Sequence, residues 1–126
     1  MYKRILLLSC SLFFLSSCQF KNSSNEATLK TLLEADALYI SNEQDLNLEN
    51  EYYNALIEVK RLYPEDIQEV IVLTNEDIKN IEDELKVKKY PTLLLLNRKE
   101  IIVKIEGKNE KAAIINKIST HFNDKQ

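Results

Sequence analysis

Hydrophobic positions along the chain change repeatedly between a helical and a strand spacing. Apolar residues recur at every third or fourth position, as in amphipathic helices, in the segments 27–36, 50–63, 74–85 and 109–122. Short continuous or alternating apolar runs, typical of strands, lie at 37–41, 70–73, 92–96 and 101–105. The predicted order of elements is αβαβαββα. This order favours an α/β fold with a mixed four-stranded sheet and helices on both faces.

Individual residues indicate where one predicted helix ends and where the next begins. Pro64 closes the helix over 50–63, because proline cannot continue a helix. Thr74 and Asp77 resemble a capping box, in which two side chains satisfy free backbone amides, and they predict the start of the next helix. Residues 42–49 are polar, follow no period and are predicted to form a loop.

The composition of the apolar runs predicts how each strand is covered. Residues 70–73 are all apolar and mostly β-branched, which is typical of a strand covered on both faces. Residues 97–100 are polar and predict a tight hairpin connection. In the run that follows, Ile101, Val103 and Ile105 occupy alternate positions. We therefore expect a half-buried strand with these three residues on one face.

The first residues have the pattern of a secretory leader. Lys3 and Arg4 precede an apolar stretch, 5–15, that is too short to cross a bilayer stably. The stretch ends in Leu15-Ser16-Ser17-Cys18, which resembles the lipobox of bacterial lipoproteins. The resemblance implies that Cys18 receives diacylglycerol on its sulfur and becomes the first residue of the mature chain. One acyl chain anchors a protein only marginally, whereas two hold it stably.

The lipobox divides the chain into a signal peptide over 1–17, a lipidated cysteine with a flexible tether over 18–26, and a folded domain over 27–126. The tether prediction comes from a polar run rich in serine and asparagine. We expect the protein on the extracytoplasmic face of the cell membrane, held in the bilayer through Cys18. The alternatives are an ordinary secretory signal with a chance cysteine and an uncleaved membrane anchor.

Charge and cysteine content exclude several classes of function. The net charge is −3 and there is no basic block, which argues against nucleic acid as a partner. The two cysteines are Cys10, inside the leader, and Cys18. With Cys18 modified, the mature chain has no thiol for disulfide exchange, thiolate catalysis or metal binding. We expect no enzyme activity and no cofactor.

Two features resemble parts of metal-binding or catalytic sites, and neither is expected to act as one. Asp45, Asn47, Glu49 and Glu51 place oxygen atoms at alternate positions, as a calcium loop does. The run lacks the glycine and the later glutamate of such a loop, and acids at a helix entrance favour the positive end of the helix dipole. The lone histidine, His121, stands beside an aromatic residue in a predicted helix. We expect it to be packed or solvated rather than catalytic.

One stretch carries a resemblance to a known family. Val87–Leu96 contains Tyr90-Pro91-Thr92 followed by four leucines, and a polar hairpin and Gly107 come after it. This pattern looks like the C-terminal half of thioredoxin, and the element order extends the match back to Ala37. The resemblance implies a thioredoxin-like three-layer sandwich in which the Tyr90–Pro91 peptide bond is cis.

The chain departs from the thioredoxin pattern at the positions that carry redox chemistry. The Cys-x-x-Cys motif of the family falls near residues 46–49, where there is no cysteine. The buried acid of the family falls near Ile40, an apolar residue. The additional N-terminal strand of thioredoxin is also expected to be absent, since the preceding residues are tether-like. The departures indicate a scaffold that has lost its redox chemistry.

These expectations leave three hypotheses for function. The first is a binding module, in which a groove of Tyr90, Pro91 and Thr92, with the 42–49 loop, holds a protein or peptide of the cell envelope. The second is a small structural lipoprotein associated with peptidoglycan. The third is an accessory subunit of an envelope redox enzyme. A fold alone does not decide among them.

Overall fold

The computed structural model describes residues 20–41 and 44–124. Its helices are α1 (Phe20–Leu32), α2 (Leu46–Leu62), α3 (Glu82–Leu85) and α4 (Lys111–Asn123). Its strands are β1 (Ala37–Ser41), β2 (Val70–Thr74), β3 (Thr92–Asn97) and β4 (Glu100–Glu106). Within the described residues, no helix has the length and apolar character needed to cross a membrane. The observed order of helices and strands matches the predicted one.

The strands form one mixed sheet in the order β2-β1-β3-β4. β1 pairs in parallel with β2, beginning at Ala37 opposite Val70. β1 also pairs antiparallel with β3, so that Ile40 lies opposite Thr92, and β3 pairs antiparallel with β4 through a tight hairpin. Arg98 and Lys99 in the hairpin both have positive φ, as the two central residues of a type I′ turn require. The prediction of a mixed four-stranded sheet is confirmed.

Helices cover both faces of the sheet, because side chains of alternate strand residues point in opposite directions. We call one side the aromatic face: there α2 and α4 pack against Tyr39, Leu93, Leu95 and Ile105. We call the other the aliphatic face, where α1, α3 and residues Ile78–Ile81 pack against Leu38, Ile40, Leu94 and Leu96. The helices on both faces make the fold the three-layer sandwich that the family resemblance implied.

β4 contains an irregularity that the sequence pattern did not reveal. Leu95 pairs with Val103, but the next residue, Leu96, pairs with Ile101. Ile102 is therefore the extra residue of a β-bulge, which reverses the alternation of side chains. Ile101 packs on the aliphatic face, whereas Val103 packs on the aromatic face with Ile105. The prediction that all three lie on one face is wrong for Ile101.

β2 is less buried than its composition predicted. Among residues 20–41 and 44–124, it is an edge strand paired with β1 alone, and Val72 is 54% exposed. The aromatic-face helices cover the central strands, where Tyr39 is fully buried, but they leave Val72 accessible. The expectation of a strand covered on both faces is wrong, because apolar composition does not reveal whether a strand is central or at an edge.

The first helix begins earlier than predicted. α1 starts at Phe20 and ends at Leu32, so the interpretation of residues 18–26 as a flexible tether is wrong from Phe20 onward. Leu29 and Leu32 fix the later turns on the aliphatic face, and extending an existing helix costs far less than nucleating one. The polar residues before Leu29 include no proline or glycine to stop the helix. The leader and Cys18 lie outside the described residues.

The segment 74–85 keeps its predicted cap but not its predicted helix. The Thr74 N–H donates to Asp77 Oδ2 at 2.9 Å, and the Asp77 N–H donates to Thr74 Oγ1 at 3.3 Å. The chain then makes successive turns, and only Glu82–Leu85 forms an α-helix. Ile78, which is fully buried, still packs on the aliphatic face as a helix would have placed it.

Candidate functional site

The candidate site lies at the end of the sheet where β1 finishes and β3 begins. Because Ile40 is paired with Thr92, the next residues on the two strands, Ser41 and Pro91, are neighbours at this end. The Ser41 hydroxyl donates a hydrogen bond of 2.6 Å to the carboxylate of Glu49 in the first turns of α2. We call this region, where β1, α2 and β3 meet, the proline end.

The structure places the three predicted groove residues together but gives them unequal exposure. Pro91 and Thr92 are buried, and Tyr90 is half-buried. The Tyr90–Pro91 peptide bond is cis, as the resemblance implied. The Thr92 hydroxyl donates to the backbone carbonyl of Lys89. Of the three residues, Tyr90 therefore offers most of the surface that a partner can reach.

Tyr90 is held in place through its hydroxyl. The Tyr90 O–H donates to Glu82 Oε1 of α3 at 2.8 Å. Partial burial, followed by the hydrogen bond to Glu82 and its negative charge, raises the pKa of Tyr90 to about 12. The phenol is therefore neutral at physiological pH, and its ring is oriented by α3 at the rim of the proline end.

Pro91 is connected to α2 through the end of β4. The Gly107 N–H donates to the Pro91 carbonyl at 2.8 Å, and the Tyr52 hydroxyl donates to the Gly107 carbonyl at 2.6 Å. Gly107 has φ +71°, a backbone conformation that glycine adopts without the strain other residues incur. The Asn109 side chain donates to the Tyr52 hydroxyl at 3.2 Å. These bonds fix the position of the proline relative to α2.

Sequence reasoning missed the buried carboxylate of Glu49, which is only 5% exposed. Residues 42–49 were predicted as a loop, but α2 begins at Leu46 because Asp45 caps it. The Asp45 side chain accepts hydrogen bonds from the amides of Asn47 and Leu48 at 3.1 and 3.3 Å. A usable signal was present, since an aspartate cap at Asp45 places Glu49 three residues before Tyr52, on the buried stripe of the helix.

Tyr39 lies beside this carboxylate on the aromatic face. It is fully buried, and its hydroxyl has no hydrogen-bond partner within the described part of the chain. The pKa of Tyr39 lies well above its ordinary range, mainly because the phenol is buried and secondly because Glu49 is negatively charged. The proline end therefore combines a buried acid, a buried neutral phenol and a serine within the apolar core.

The positions that the resemblance aligns with the redox motif now have a defined geometry. Leu46, at the first position of α2, is 72% exposed, whereas Glu49 is buried. Ile40, where the family's acid falls, is fully buried on the aliphatic face. The motif positions therefore present an apolar surface residue and a buried carboxylate, and neither is a thiol.

The oxygen-bearing residues considered as a calcium loop have separate partners. Asp45 caps α2, Glu49 binds Ser41, and Glu51 accepts a hydrogen bond of 2.5 Å from the Lys111 amide at the start of α4. Across residues 20–41 and 44–124, no three histidine, cysteine or acidic side chains group as a metal site would. His121 lies edge-on to Phe122, with ring centroids 5.4 Å apart.

Comparison with solved structures defines the class of fold. The chain is similar to thioredoxin from Trypanosoma brucei brucei, with a TM-score of 0.60 and 10% identity over 78% of this chain and 86% of that one. It is also similar to thioredoxin 1 from Thermosipho africanus, with a TM-score of 0.56 and 15% identity over 71% of this chain and 96% of that one. At these identities the similarity shows the fold, which is thioredoxin-like.

A sequence relative gives a different kind of information. The chain is 28% identical over 108 residues to a protein named Pal-related lipoprotein from Bacillus subtilis, and the match covers 84% of each chain. No family model matches the chain. The protein therefore has the fold of a thioredoxin and a bacterial lipoprotein as a sequence relative.

Proposed function

We propose that this protein is a membrane-anchored lipoprotein whose thioredoxin-like domain binds an extended segment of another envelope protein at the proline end, without redox chemistry. The observation that carries the proposal is the replacement at the motif positions. The Cys-x-x-Cys motif of the family falls near Leu46-Asn47-Leu48-Glu49, which contains no cysteine, while Pro91 and the strand that follows it are retained. The scaffold around the proline is present and the thiols are not.

The anchor rests on the lipobox and on the lipoprotein relative. We infer that Cys18 carries the lipid and that the domain faces the extracytoplasmic side of the membrane. Replacing Cys18→Ser should abolish incorporation of labelled fatty acid and release the protein from the membrane fraction. Cys10→Ser, inside the leader, is the matched control and should leave labelling intact. Undiminished labelling of the Cys18→Ser variant would refute the anchor.

The binding surface that we propose is formed by the accessible apolar groups of the proline end. Tyr90 is half-buried and Leu46 is 72% exposed, and the two flank the neighbouring ends of β1 and β3. An aromatic ring with a fixed hydroxyl offers a large contact area at little entropic cost. The buried carboxylate of Glu49 lies beneath and holds the end of β1 in place through Ser41.

Site-specific photocrosslinking in intact cells tests this surface. A crosslinker in place of Tyr90 should give a discrete protein adduct. The same group in place of Lys99, in the hairpin at the opposite end of the sheet, should not give that adduct. Leu46→Asp should reduce the Tyr90 adduct. If both positions crosslink instead to sedimenting cell wall, the peptidoglycan-associated structural lipoprotein is supported and the binding module is refuted.

Redox inactivity has its own test. The processed, lipidated chain in detergent should not catalyse insulin reduction by dithiothreitol above the reagent rate, since Cys10 is removed with the leader and Cys18 is the cysteine that we infer to be lipidated. The double substitution Leu46→Cys and Glu49→Cys supplies thiols at the motif positions and serves as a positive control for the assay. Catalysis by the unsubstituted chain would refute the proposal that the protein is not a thiol-disulfide enzyme.

A further inference from the structure

The outer side of β2 is an unpaired strand edge. Within residues 20–41 and 44–124, β2 pairs with β1 alone and forms one border of the sheet. The Ala37 N–H donates to the Glu69 carbonyl, and alternate residues bond to the neighbour in a parallel ladder. Because the Glu69 carbonyl points towards β1, the N–H and C=O groups of Val70 and Val72 point away from β1. They are donors and acceptors available to another strand.

The other border of the sheet, β4, is protected against pairing with another strand, in contrast to β2. β4 carries the charged residues Glu100, Lys104 and Glu106 and contains the bulge at Ile102. Charges and bulges are the features by which edge strands avoid pairing with other chains. β2 has the sequence Val-Ile-Val-Leu-Thr, with no charge, proline or bulge. The β2 border therefore lacks the features that prevent strand addition.

An exposed apolar surface lies beside this edge. Val72 is 54% exposed, and on α2 Tyr53 is 39% and Ile57 is 68% exposed. Tyr39 connects the two elements, because it pairs with Val72 in the sheet and its ring centroid lies 5.0 Å from that of Tyr53. We call Val72, Tyr53 and Ile57 the edge patch. Contiguous exposed apolar surface of this kind marks interaction sites.

Charge at the two ends of β2 selects the kind of strand that fits. Exposed acidic residues precede and follow the strand: Glu65, Asp66, Glu69, Glu76 and Asp77. No lysine or arginine occurs between residues 62 and 78. A second copy paired antiparallel would bring acidic ends against acidic ends, which is unfavourable. A segment with basic ends would be complementary at both.

We propose that the β2 edge binds an extended segment of a partner protein as a fifth strand. The segment has β-branched or aromatic residues at its centre, which lie along the edge patch, and lysine or arginine at both ends. Backbone bonds to Val70 and Val72 supply pairing, and the flanking acids supply selectivity. The surface is distinct from the proline end, and this inference holds whether or not that end binds a partner.

Hydrogen exchange by NMR on the full chain in detergent micelles tests the pairing directly. The probe is a short peptide with a core of alternating valine and threonine and lysine at each end. It should slow exchange of the Val70 and Val72 amides, whereas the same core with glutamate ends should not. Binding should weaken at about 1 M salt, where the screening length falls to about 3 Å.

Two variants separate backbone pairing from charge. Val72→Pro removes an outward N–H without removing a bond to β1, and it should weaken binding of the lysine-ended peptide at least about tenfold. Val72→Thr keeps the N–H and is the matched control, with binding close to the parent. Glu69→Lys combined with Glu76→Lys should reverse the preference between the two peptides, and it needs no change within the strand.

Three results would overturn the proposal. The first is unchanged exchange of Val70 and Val72 with the lysine-ended peptide at about 1 mM, the range of a weak interaction. The second is equal binding of the two peptides. The third is protection of these amides that grows with protein concentration in the absence of peptide, which would assign the edge to a second copy of this chain.

Discussion

The two faces of the sheet have equally deep cores with different chemistry. The aliphatic face buries Leu38, Ile40 and Leu94 completely, and the buried hydroxyl of Thr92 beside them bonds to the Lys89 carbonyl. The aromatic face buries Tyr39 and Tyr52 just as completely, and each brings a hydroxyl into the core.

The polar groups buried against α2 and β1 are concentrated near the proline end. Ser41 bonds to Glu49, and Tyr52 bonds to Gly107, while the Tyr39 hydroxyl has no partner within the described residues. Buried polar groups cost stability unless they are paired. Tyr90 packs on the aliphatic side, so the aliphatic face supports the accessible ring of the candidate site, whereas the aromatic face contributes the buried polar groups behind it. Substitutions on the two faces should therefore affect stability and binding differently.

The largest effect on stability is expected from the aliphatic face. Leu94→Ala removes a fully buried side chain from the central strand β3 and should lower the free energy of unfolding by about 2–5 kcal/mol. Urea denaturation measures the loss, with Leu62→Ala, at a 43% exposed position, as the control. The Tyr90 crosslink should persist at temperatures where the variant is folded. Loss of the adduct from folded Leu94→Ala protein would show that the position of Tyr90 depends on packing in the aliphatic core and not on its hydrogen bond to Glu82 alone.

A smaller loss is expected at the proline end. Ser41→Ala leaves the buried Glu49 carboxylate without the donor that now lies 2.6 Å away, and a buried acceptor left unpaired costs about 1–3 kcal/mol. Glu49→Gln keeps an acceptor for Ser41 and should cost less. A double-mutant cycle of Ser41→Ala with Glu49→Ala, each of which removes the interaction, gives the coupling energy. Additive losses would show that the two side chains do not interact.

Tyr52→Phe tests the connection between α2 and the proline. It removes the bond to the Gly107 carbonyl and the acceptor for Asn109 while keeping the ring. A loss of about 0.5–1.5 kcal/mol is expected from one buried hydrogen bond. Unlike Leu94→Ala, this substitution should also reduce the Tyr90 crosslink, because Gly107 holds Pro91 through its amide. An unchanged crosslink would show that this hydrogen-bond network does not support the candidate site.

The smallest effect concerns alkaline pH. The pKa of Tyr90 is raised from 10.0 to about 12 in the folded chain, so between these values the unfolded chain releases a proton that the folded chain retains. The stabilising contribution is complete below pH 10 and is lost as the pH rises towards 12. Tyr90→Phe should make the unfolding midpoint less sensitive to pH across this window. Identical pH profiles for the parent and the variant would contradict a raised pKa at Tyr90.

How much of this structure can be predicted from the sequence depends on how far apart along the chain the interacting residues are. The strand over 92–96 and the hairpin after it are determined by local composition, and both were predicted. Glu49 was missed because a polar residue in a presumed loop does not indicate burial, although the cap at Asp45 carried that information. Only the register revealed that Ile101 and Val103 face opposite sides. No local pattern identifies Val72 as an edge residue, since that depends on which strands are neighbours.

The candidate site was predicted as three consecutive residues and observed as a meeting of separate elements. Tyr90, Pro91 and Thr92 were identifiable because the family pattern is continuous in sequence there. Ser41 and Glu49 join them only through the pairing of β1 with β3 and the early start of α2. Interactions between residues that are far apart in the sequence are determined by packing, and the hydrophobic periodicity of a single sequence does not reveal them.

The early start of α1 limits how far the domain can stand from a membrane. If Cys18 carries the lipid, only Gln19 separates it from the helix, a span of at most about 7 Å. Leu29 packs on the aliphatic face, and a helical rise of about 1.5 Å per residue from Phe20 to Leu29 adds about 14 Å. With that anchor, the domain would meet a partner at the bilayer surface, by diffusion in two dimensions.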